Sequence, residues 1–195
     1  MEITDSLRLV IPFGEGMIAY HTPISRDVYE LNYAALNAMK SAMRSKGMYY
    51  YVEQGPIVAA LTLRDEGALE AQRRGLEIDT RTPAFLAEIR RLTNILVPGV
   101  AGYDLLPVDA AISSGKLDTE DWAELESAIV FFTCLTCTAK KAERKAQAQG
   151  ASKLLGGSIT SLVPMEYAAS LRTSTKATTG EVTAQKPATP LSIPC

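Results

Sequence analysis

The spacing of apolar residues near the start of the chain predicts a β-hairpin. In residues 7–13 the apolar side chains recur at every second position, which places them on one face of a half-buried strand. The turn at 14–16 contains two glycines, which tolerate the positive φ values of tight hairpin loops, and residues 17–21 can return as the second arm. Pro12 has no N–H to donate to a ladder, so we expect it at an edge of the pairing.

Apolar residues spaced three and four apart predict helices over much of the remaining chain. The predicted helices run from a cap at Ser25 or Asp27 to a stop at Gly47, from Ile57 to Arg74, from Thr82 to Pro98, from Pro107 to Ser113, and from Asp118 or Thr119 to Gln149. In the second helix, Val58, Leu61 and Leu69 are expected to face inward, and Gly67 is the weak point. The polar second half of the last helix should project into solvent or meet a partner.

The cluster at 48–52 has a strand-like composition, with three consecutive tyrosines followed by a valine. It predicts a strand, although an aromatic-rich loop packed on the core would have the same composition.

The end of the chain is predicted to lack a stable fold of its own. Beyond Gly156 and Gly157 it is dominated by Ser, Thr and Pro, interrupted by one short amphipathic segment at 165–171. From Arg172 onward too little apolar surface is available to offset the entropy of ordering the backbone. We therefore predict a mainly α fold with a small N-terminal β-hairpin (α+β), formed by a helical domain over 1–157, and a flexible, largely disordered tail over 158–195.

Composition and charge narrow the classes of partner. The chain has 195 residues, of which 47% are hydrophobic and 22% are charged, as in an ordinary soluble globular protein. The formal net charge of −2 gives no global attraction to nucleic acid or to an anionic membrane, since both need an excess of Lys and Arg. We expect neither as a partner.

The longest apolar stretch, residues 128–135, is much shorter than the roughly 20 residues of a membrane-spanning helix. Residues 1–5 lack the basic and apolar regions of a signal peptide. We therefore expect a protein of a reducing cytoplasm whose three cysteines are free thiols.

The most suggestive candidate for chemistry is the pair Cys134 and Cys137, which has the spacing of a zinc or dithiol motif. A structural zinc site needs four ligands, and dithiol enzymes usually place the motif at a helix N-terminus, which lowers the thiol pKa. Here the pair is predicted to lie in the middle of a helix. Two small side chains packed beside the core are the favoured interpretation.

The other candidates have simple structural explanations. The only histidine, His21, ends the hairpin without a recognisable nucleophile motif. The acidic run at 118–126 lacks the ligand pattern and central glycine of a calcium loop. The glycines at 14–16 and 99–102 form no dinucleotide or Walker motif. Charge complementation at a helix C-terminus explains the basic run at 140–145. We expect no catalytic residue, no cofactor and no metal.

Five segments follow one another along the chain: YHTPIS (20–25), ALTLRD (60–65), PVDAAI (107–112), the stretch from DW to FFTC (121–134) and EYAASLRTST (166–175). This order of segments resembles that of tail assembly chaperones from long-tailed bacteriophages. The likeness covers most of residues 1 to about 175. It implies a mainly helical, non-enzymatic protein of the host cytoplasm that keeps the long, apolar tape measure protein soluble. It also implies a role in recruiting tail tube subunits around that client.

A chaperone for an apolar helical client needs exposed or adaptable apolar surface. In the globular part, the candidate contacts are Met39, Met43, Met48, Tyr49, Tyr50 and Tyr51. Core filling is the alternative for these residues, because most such side chains in a domain of this size are buried. In the predicted tail, Met165, Tyr167 and Leu171 are the natural anchors for a partner.

The sequence thus predicts an assembly chaperone whose partners are the tape measure protein and the tail tube protein, and it leaves self-association open. The closest alternative is a virion structural protein, such as a minor tail protein from the same gene region. An enzyme that depends on Cys134 or Cys137 is a third alternative of a different class.

Overall fold

The computed structural model describes residues 7–100 and 102–177. Within these residues, the strands are β1 (Arg8–Phe13), β2 (Met17–His21), β3 (Thr93–Gly99), β4 (Gly102–Pro107) and β5 (Ser158–Thr160). The helices are α1 (Arg26–Ser45), α2 (Met48–Glu53), α3 (Gly55–Arg73), α4 (Arg81–Arg91), α5 (Val108–Ser113), α6 (Thr119–Cys137), α7 (Arg144–Leu154) and α8 (Pro164–Ala177).

The predicted hairpin is confirmed and lies within a larger antiparallel sheet of order β4-β3-β2-β1-β5. Gly14 and Gly16 take φ values of +50° and +76° in its turn, a region of backbone conformation that favours glycine. The pairing of β1 with β5 stops opposite Val10. Pro12 therefore lies past the end of β5, where β1 pairs with β2 alone, as a residue without an N–H requires.

The fold is a mixed α+β fold, and the prediction of a mainly α fold with only a small hairpin is wrong in this respect. The helix predicted from Thr82 to Pro98 ends at Arg91, and Thr93–Gly99 forms β3 instead. In residues 93–97 every second side chain is β-branched, and residues 93–96 pair with β2 in antiparallel register. That pairing joins segments about 75 residues apart, which local apolar spacing does not report.

Both faces of the sheet are buried, each by different elements. Leu9 and Ile11 of β1 face the main core beneath the helices, together with Ile95 of β3. The intervening side chains form a second cluster on the opposite face: Val10, Ile18, Tyr20 and Leu96. Helix α8 covers this second face. The sheet is therefore the middle layer between the main helices and α8.

The boundary predicted between residues 157 and 158 falls inside the fold. Ser158–Thr160 forms the edge strand β5 on β1, and α8 follows it. The predicted amphipathic segment at 165–171 thus belongs to an ordered helix. The prediction of disorder is wrong for β5 and α8. Helix α8 is stabilised by packing on the apolar face of the sheet, which the composition of the segment alone does not show. Residues 178–195 of the predicted tail lie outside the described residues.

Helix α3 is oriented as predicted only at Val58, which packs partly buried against the main core. Its buried positions follow each other at intervals of four, through Ala59, Leu63, Gly67 and Ala71. Leu61 and Leu69, which were expected to face inward, are exposed. Small side chains allow α3 to approach its neighbours closely: a Cβ built on Gly55 or Gly67 would come within 2.6 Å of a neighbouring side chain.

The long helix predicted from residue 118 to 149 is two helices. Asp118 caps its start as predicted, accepting a hydrogen bond from the Asp121 N–H at 2.7 Å. Helix α6 ends at Cys137, and the chain turns before α7 begins at Arg144. The turn lets α7 pack against α6 and bury Ala148 and Ala151, so this half does not continue α6 outward, although residues 140–147 are mostly exposed as predicted.

Candidate functional site

An exposed apolar surface lies on α2 and α3. Its members are Met48 and Tyr49 at the start of α2, exposed by 63% and 80%, and Ile57 and Leu61 on α3, exposed by 59% and 60%. Ile57 and Leu61 are four residues apart and so share one face of the helix. We call these four side chains the α2–α3 apolar surface. Exposed apolar patches on a globular domain often mark contact surfaces.

A shallow groove of about 400 Å³ adjoins this surface at Ile57. The other residues that line it are mostly apolar, with two carboxylates among them: Ile11, Pro12, Phe13, Pro56, Asp121, Glu124, Leu125, Ala128, Leu154 and Leu155. Leu154 is half exposed, so apolar surface continues from α3 to the end of α7. The groove is suited to an amphipathic helix with an apolar face and basic flanks.

Sequence reasoning included Met48 and Tyr49 in this surface but missed Ile57 and Leu61. A signal was present: small residues at 59, 67 and 71 recur at helical spacing, which is typical of a close helix contact. Placing those small residues inward turns Ile57 and Leu61 outward.

Three of the predicted contact residues lie in the core. Met39 and Met43, on the buried face of α1, are 0% and 1% exposed, and Tyr51 is 4% exposed. The Tyr51 ring packs against Phe131 at 5.2 Å between centroids, and the Arg44 guanidinium lies 5.1 Å from the centre of the same Tyr51 ring. These side chains fill space between helices and are out of reach of a client in this structure. The core-filling alternative therefore describes them.

The segment that holds these tyrosines is α2, so the strand predicted at 48–52 is wrong. Gly47 leaves α1 with φ of +103°, and a new helix starts at once. The helical turn separates Tyr49, which faces solvent, from Tyr51, which faces the core. Tyr50 is half-buried, with the Lys46 ammonium 4.9 Å from its ring centre.

The predicted C-terminal anchors are divided between the sheet and solvent. Tyr167 packs on Tyr20 with ring centroids 5.7 Å apart, and Leu171 contacts the same buried cluster. The Tyr20 hydroxyl also donates a hydrogen bond to the Leu162 carbonyl. Met165 is 69% exposed. Tyr167 and Leu171 therefore hold α8 on its own sheet, and Met165 alone of the three faces solvent.

His21 is buried at the end of β2. Its Nδ1 lies 2.9 Å from Thr93 Oγ1. Burial lowers the pKa of His21 to about 3, against an opposing effect of the Glu88 carboxylate. The imidazole is therefore neutral near pH 7 and takes a structural position between two strands.

Cys134 and Cys137 are buried at the C-terminal end of α6, where the helix dipole disfavours a thiolate. Burial raises the pKa of Cys134 to about 11 and that of Cys137 to about 12. The Cys134 thiol donates to the Leu36 carbonyl at 3.6 Å. This arrangement provides no thiolate for nucleophilic chemistry near neutral pH.

Two of the acidic side chains after residue 117 have structural partners. Asp118 caps α6, and the buried Glu126 carboxylate pairs with the half-exposed Arg64 guanidinium. Across residues 7–100 and 102–177, no three His, Cys, Asp or Glu side chains come together as a metal site. Nor does any helix in this part of the chain have the length and apolar character needed to cross a membrane.

Comparison of the chain with protein-family models, curated proteins and solved structures found no match. The assignment of a function therefore rests on the arrangement of residues described above.

Proposed function

We propose that the protein is a bacteriophage tail assembly chaperone. In this proposal it binds the apolar tape measure protein in the host cytoplasm and helps to recruit tail tube subunits. The observation that carries the proposal is the orientation of α3, which buries small residues and exposes Ile57 and Leu61.

The exposed side chains present apolar surface to water, and a bound partner would bury that surface. Each large aliphatic side chain contributes about 1.5–3 kcal/mol when it is fully buried. Large side chains such as Ile57 and Leu61 would not fit on the inward face of α3. At Gly67 on that face, even a Cβ would clash with Thr82 and Asp79. The close packing inside the domain therefore keeps the large side chains available on its surface.

The adjoining groove supports a helical client. An amphipathic helix could continue the contact from Leu61 and Ile57 toward Leu154, with Asp121 and Glu124 beside its polar flank. A tape measure protein, being long, apolar and helical, would present such faces repeatedly. One chaperone copy would cover one face, so many copies would be needed along one client.

Co-expression with the neighbouring tape measure gene tests the proposal. The wild-type protein should bring the tape measure protein into the soluble fraction as a complex. Ile57→Glu and Leu61→Glu should each reduce the recovered complex strongly, because a carboxylate would have to be desolvated at the contact.

Ile78→Glu is the matched control. Ile78 is 72% exposed and follows the opposite end of α3, so the same substitution there should leave the complex intact. Equal loss in both variants would contradict a contact at the α2–α3 apolar surface. Retention of the protein in purified phage particles would instead indicate a minor tail protein, since a chaperone is left behind after assembly.

A further inference from the structure

A strongly basic groove lies on the molecule between α1 and the turn that joins α6 to α7. Its volume is about 770 Å³, within the range of small-molecule sites. The cations that line it are Arg26, Lys40, Arg44, Lys140, Lys141 and Arg144. The one carboxylate in its lining is Glu30, which pairs with Arg26 at 2.6 Å. This concentration of positive charge contrasts with the formal net charge of −2 for the chain.

Four of the six groove cations have no acidic partner in the part of the chain that the structure describes. Lys40, Arg44, Lys140 and Lys141 take part in no ion pair within the described residues. The Lys40 ammonium donates instead to the Thr138 hydroxyl at 2.7 Å. A neutral partner positions the lysine while leaving its charge uncompensated, so the groove carries a concentrated positive potential.

The turn between α6 and α7 creates this site. In one continuous helix, residues 140–145 would lie near a C-terminus, where the dipole favours cations. In the structure, Arg144 is instead the first residue of α7, at the end of the helix that favours anions. The turn therefore places the basic run beside α1, with the Arg144 Nε donating to the Ala139 carbonyl just beyond the end of α6.

We propose that this groove binds an anion that carries several linked phosphates. Oligophosphates place several negative charges within a few ångströms, which matches cations converging on a compact concave site. An acidic peptide distributes one charge per residue along an extended chain and would leave part of the groove uncompensated. Arginine and lysine both bind phosphate oxygens, and Asn37 and Ser41 in the lining supply neutral donors.

Isothermal titration of the purified full-length protein with inorganic tripolyphosphate tests this site. The wild type should bind one equivalent saturably, and its affinity should fall as salt rises. Lys40→Glu combined with Lys141→Glu should weaken binding about tenfold or more, because each reversal replaces an attraction by a repulsion. Lys116→Glu, at an exposed lysine outside the groove, is the control for reversing the charge of one lysine and should bind almost as the wild type does.

Several outcomes would overturn the proposal: no saturable binding by the wild type, equal weakening by Lys116→Glu, or tighter binding of a decaglutamate peptide than of tripolyphosphate.

Parallel titration with ATP distinguishes a free oligophosphate ligand from a nucleotide, since both carry linked phosphates. Equal affinity for both ligands assigns the site to the phosphates alone. Tighter ATP binding that is lost in Tyr33→Ala assigns it to a nucleotide whose base stacks on the half-exposed Tyr33 ring. Ile57→Glu should leave all these affinities unchanged, which keeps this test independent of the client-binding proposal.

Discussion

His21 donates a hydrogen bond from Nδ1 to Thr93 Oγ1, because the Thr93 hydroxyl uses its own hydrogen to bond the Ile89 carbonyl at 2.7 Å. The neutral imidazole therefore carries its proton on Nδ1. Its Nε2 is buried with no hydrogen-bond partner among the described residues. Protonation of that nitrogen would place a charge in the interior with no hydrogen-bond acceptor for the added N–H among the described residues.

The first prediction concerns the pH dependence of stability. The pKa of His21 is about 3 in the folded protein, against about 6.5 in an unfolded chain. Between these values the unfolded state binds one more proton than the folded state. The contribution of His21 to the free energy of unfolding should therefore fall by about 1.4 kcal/mol for each unit that the pH decreases. Urea unfolding between pH 4 and 7 measures it.

His21→Gln is the control, because glutamine can donate to Thr93 but does not titrate. The carboxylates contribute to both proteins and cancel in the difference between them. The free energy of unfolding of the wild type should decrease more steeply with acid than that of the variant. Parallel curves for the two proteins would contradict a depressed pKa at His21.

The second prediction concerns the close packing of α3 at Gly67. A Cβ at this position would come 2.0 Å from Thr82 Oγ1 and 2.5 Å from Asp79 Oδ2. Asp79 accepts hydrogen bonds from the backbone N–H groups of Arg81 and Thr82 at the start of α4. Making room for a Cβ on α3 would therefore disturb the hydrogen bonds that hold this end of α4. Gly67→Ala should lower the free energy of unfolding by about 1–3 kcal/mol, as overpacking does.

Gly150→Ala is the matched substitution, because Gly150 lies within α7 and a Cβ there meets nothing within 4 Å. Alanine should raise the free energy of unfolding there by about 0.5–1 kcal/mol. Urea unfolding of both variants measures the pair. Stabilisation by both alanines would show that α3 is not packed closely at Gly67.

The third prediction concerns thiol reactivity. A Cys195→Ser background leaves Cys134 and Cys137 as the reactive thiols. In the folded protein they should react with an aromatic disulfide reagent orders of magnitude more slowly than in guanidinium. The reason is that both thiols are buried and their pKa values are raised. Absorbance of the released thiolate gives both rates. Rapid reaction of the folded protein near pH 7 would contradict the burial of these thiols and would favour the alternative of a cysteine-dependent enzyme.

The fourth prediction concerns α8 as part of the fold. Tyr167→Ala removes the ring that packs on Tyr20 and should lower the free energy of unfolding by about 1–3 kcal/mol. Hydrogen exchange in residues 164–171 should increase as the helix loosens. Met165→Ala changes an exposed neighbour in the same helix and should stay within about 0.5 kcal/mol of the wild type. Fast exchange of these residues in the wild type would instead support the disordered segment predicted from composition.

Local patterns predicted the elements whose stability depends on neighbours in sequence. The period-two alternation and the glycine turn place the first hairpin correctly. Ser25 and Asp118 cap α1 and α6 as expected, since a cap depends on a side chain and an N–H three residues apart. The short helix after Pro107 was found in the same way.

Tertiary contacts decided the remaining features, because each depends on surface supplied by a distant segment. Residues 93–99 became a strand through pairing with β2, and α8 became ordered on a sheet face that it covers. In α3, the fit of small residues against neighbouring helices turned Ile57 outward. The turn before Arg144 moved a basic run from an expected helix end to a groove facing α1. Sequence by itself thus determined the locally encoded hairpin, caps and helix segments, whereas the two proposed binding surfaces exist only because distant parts of the chain meet.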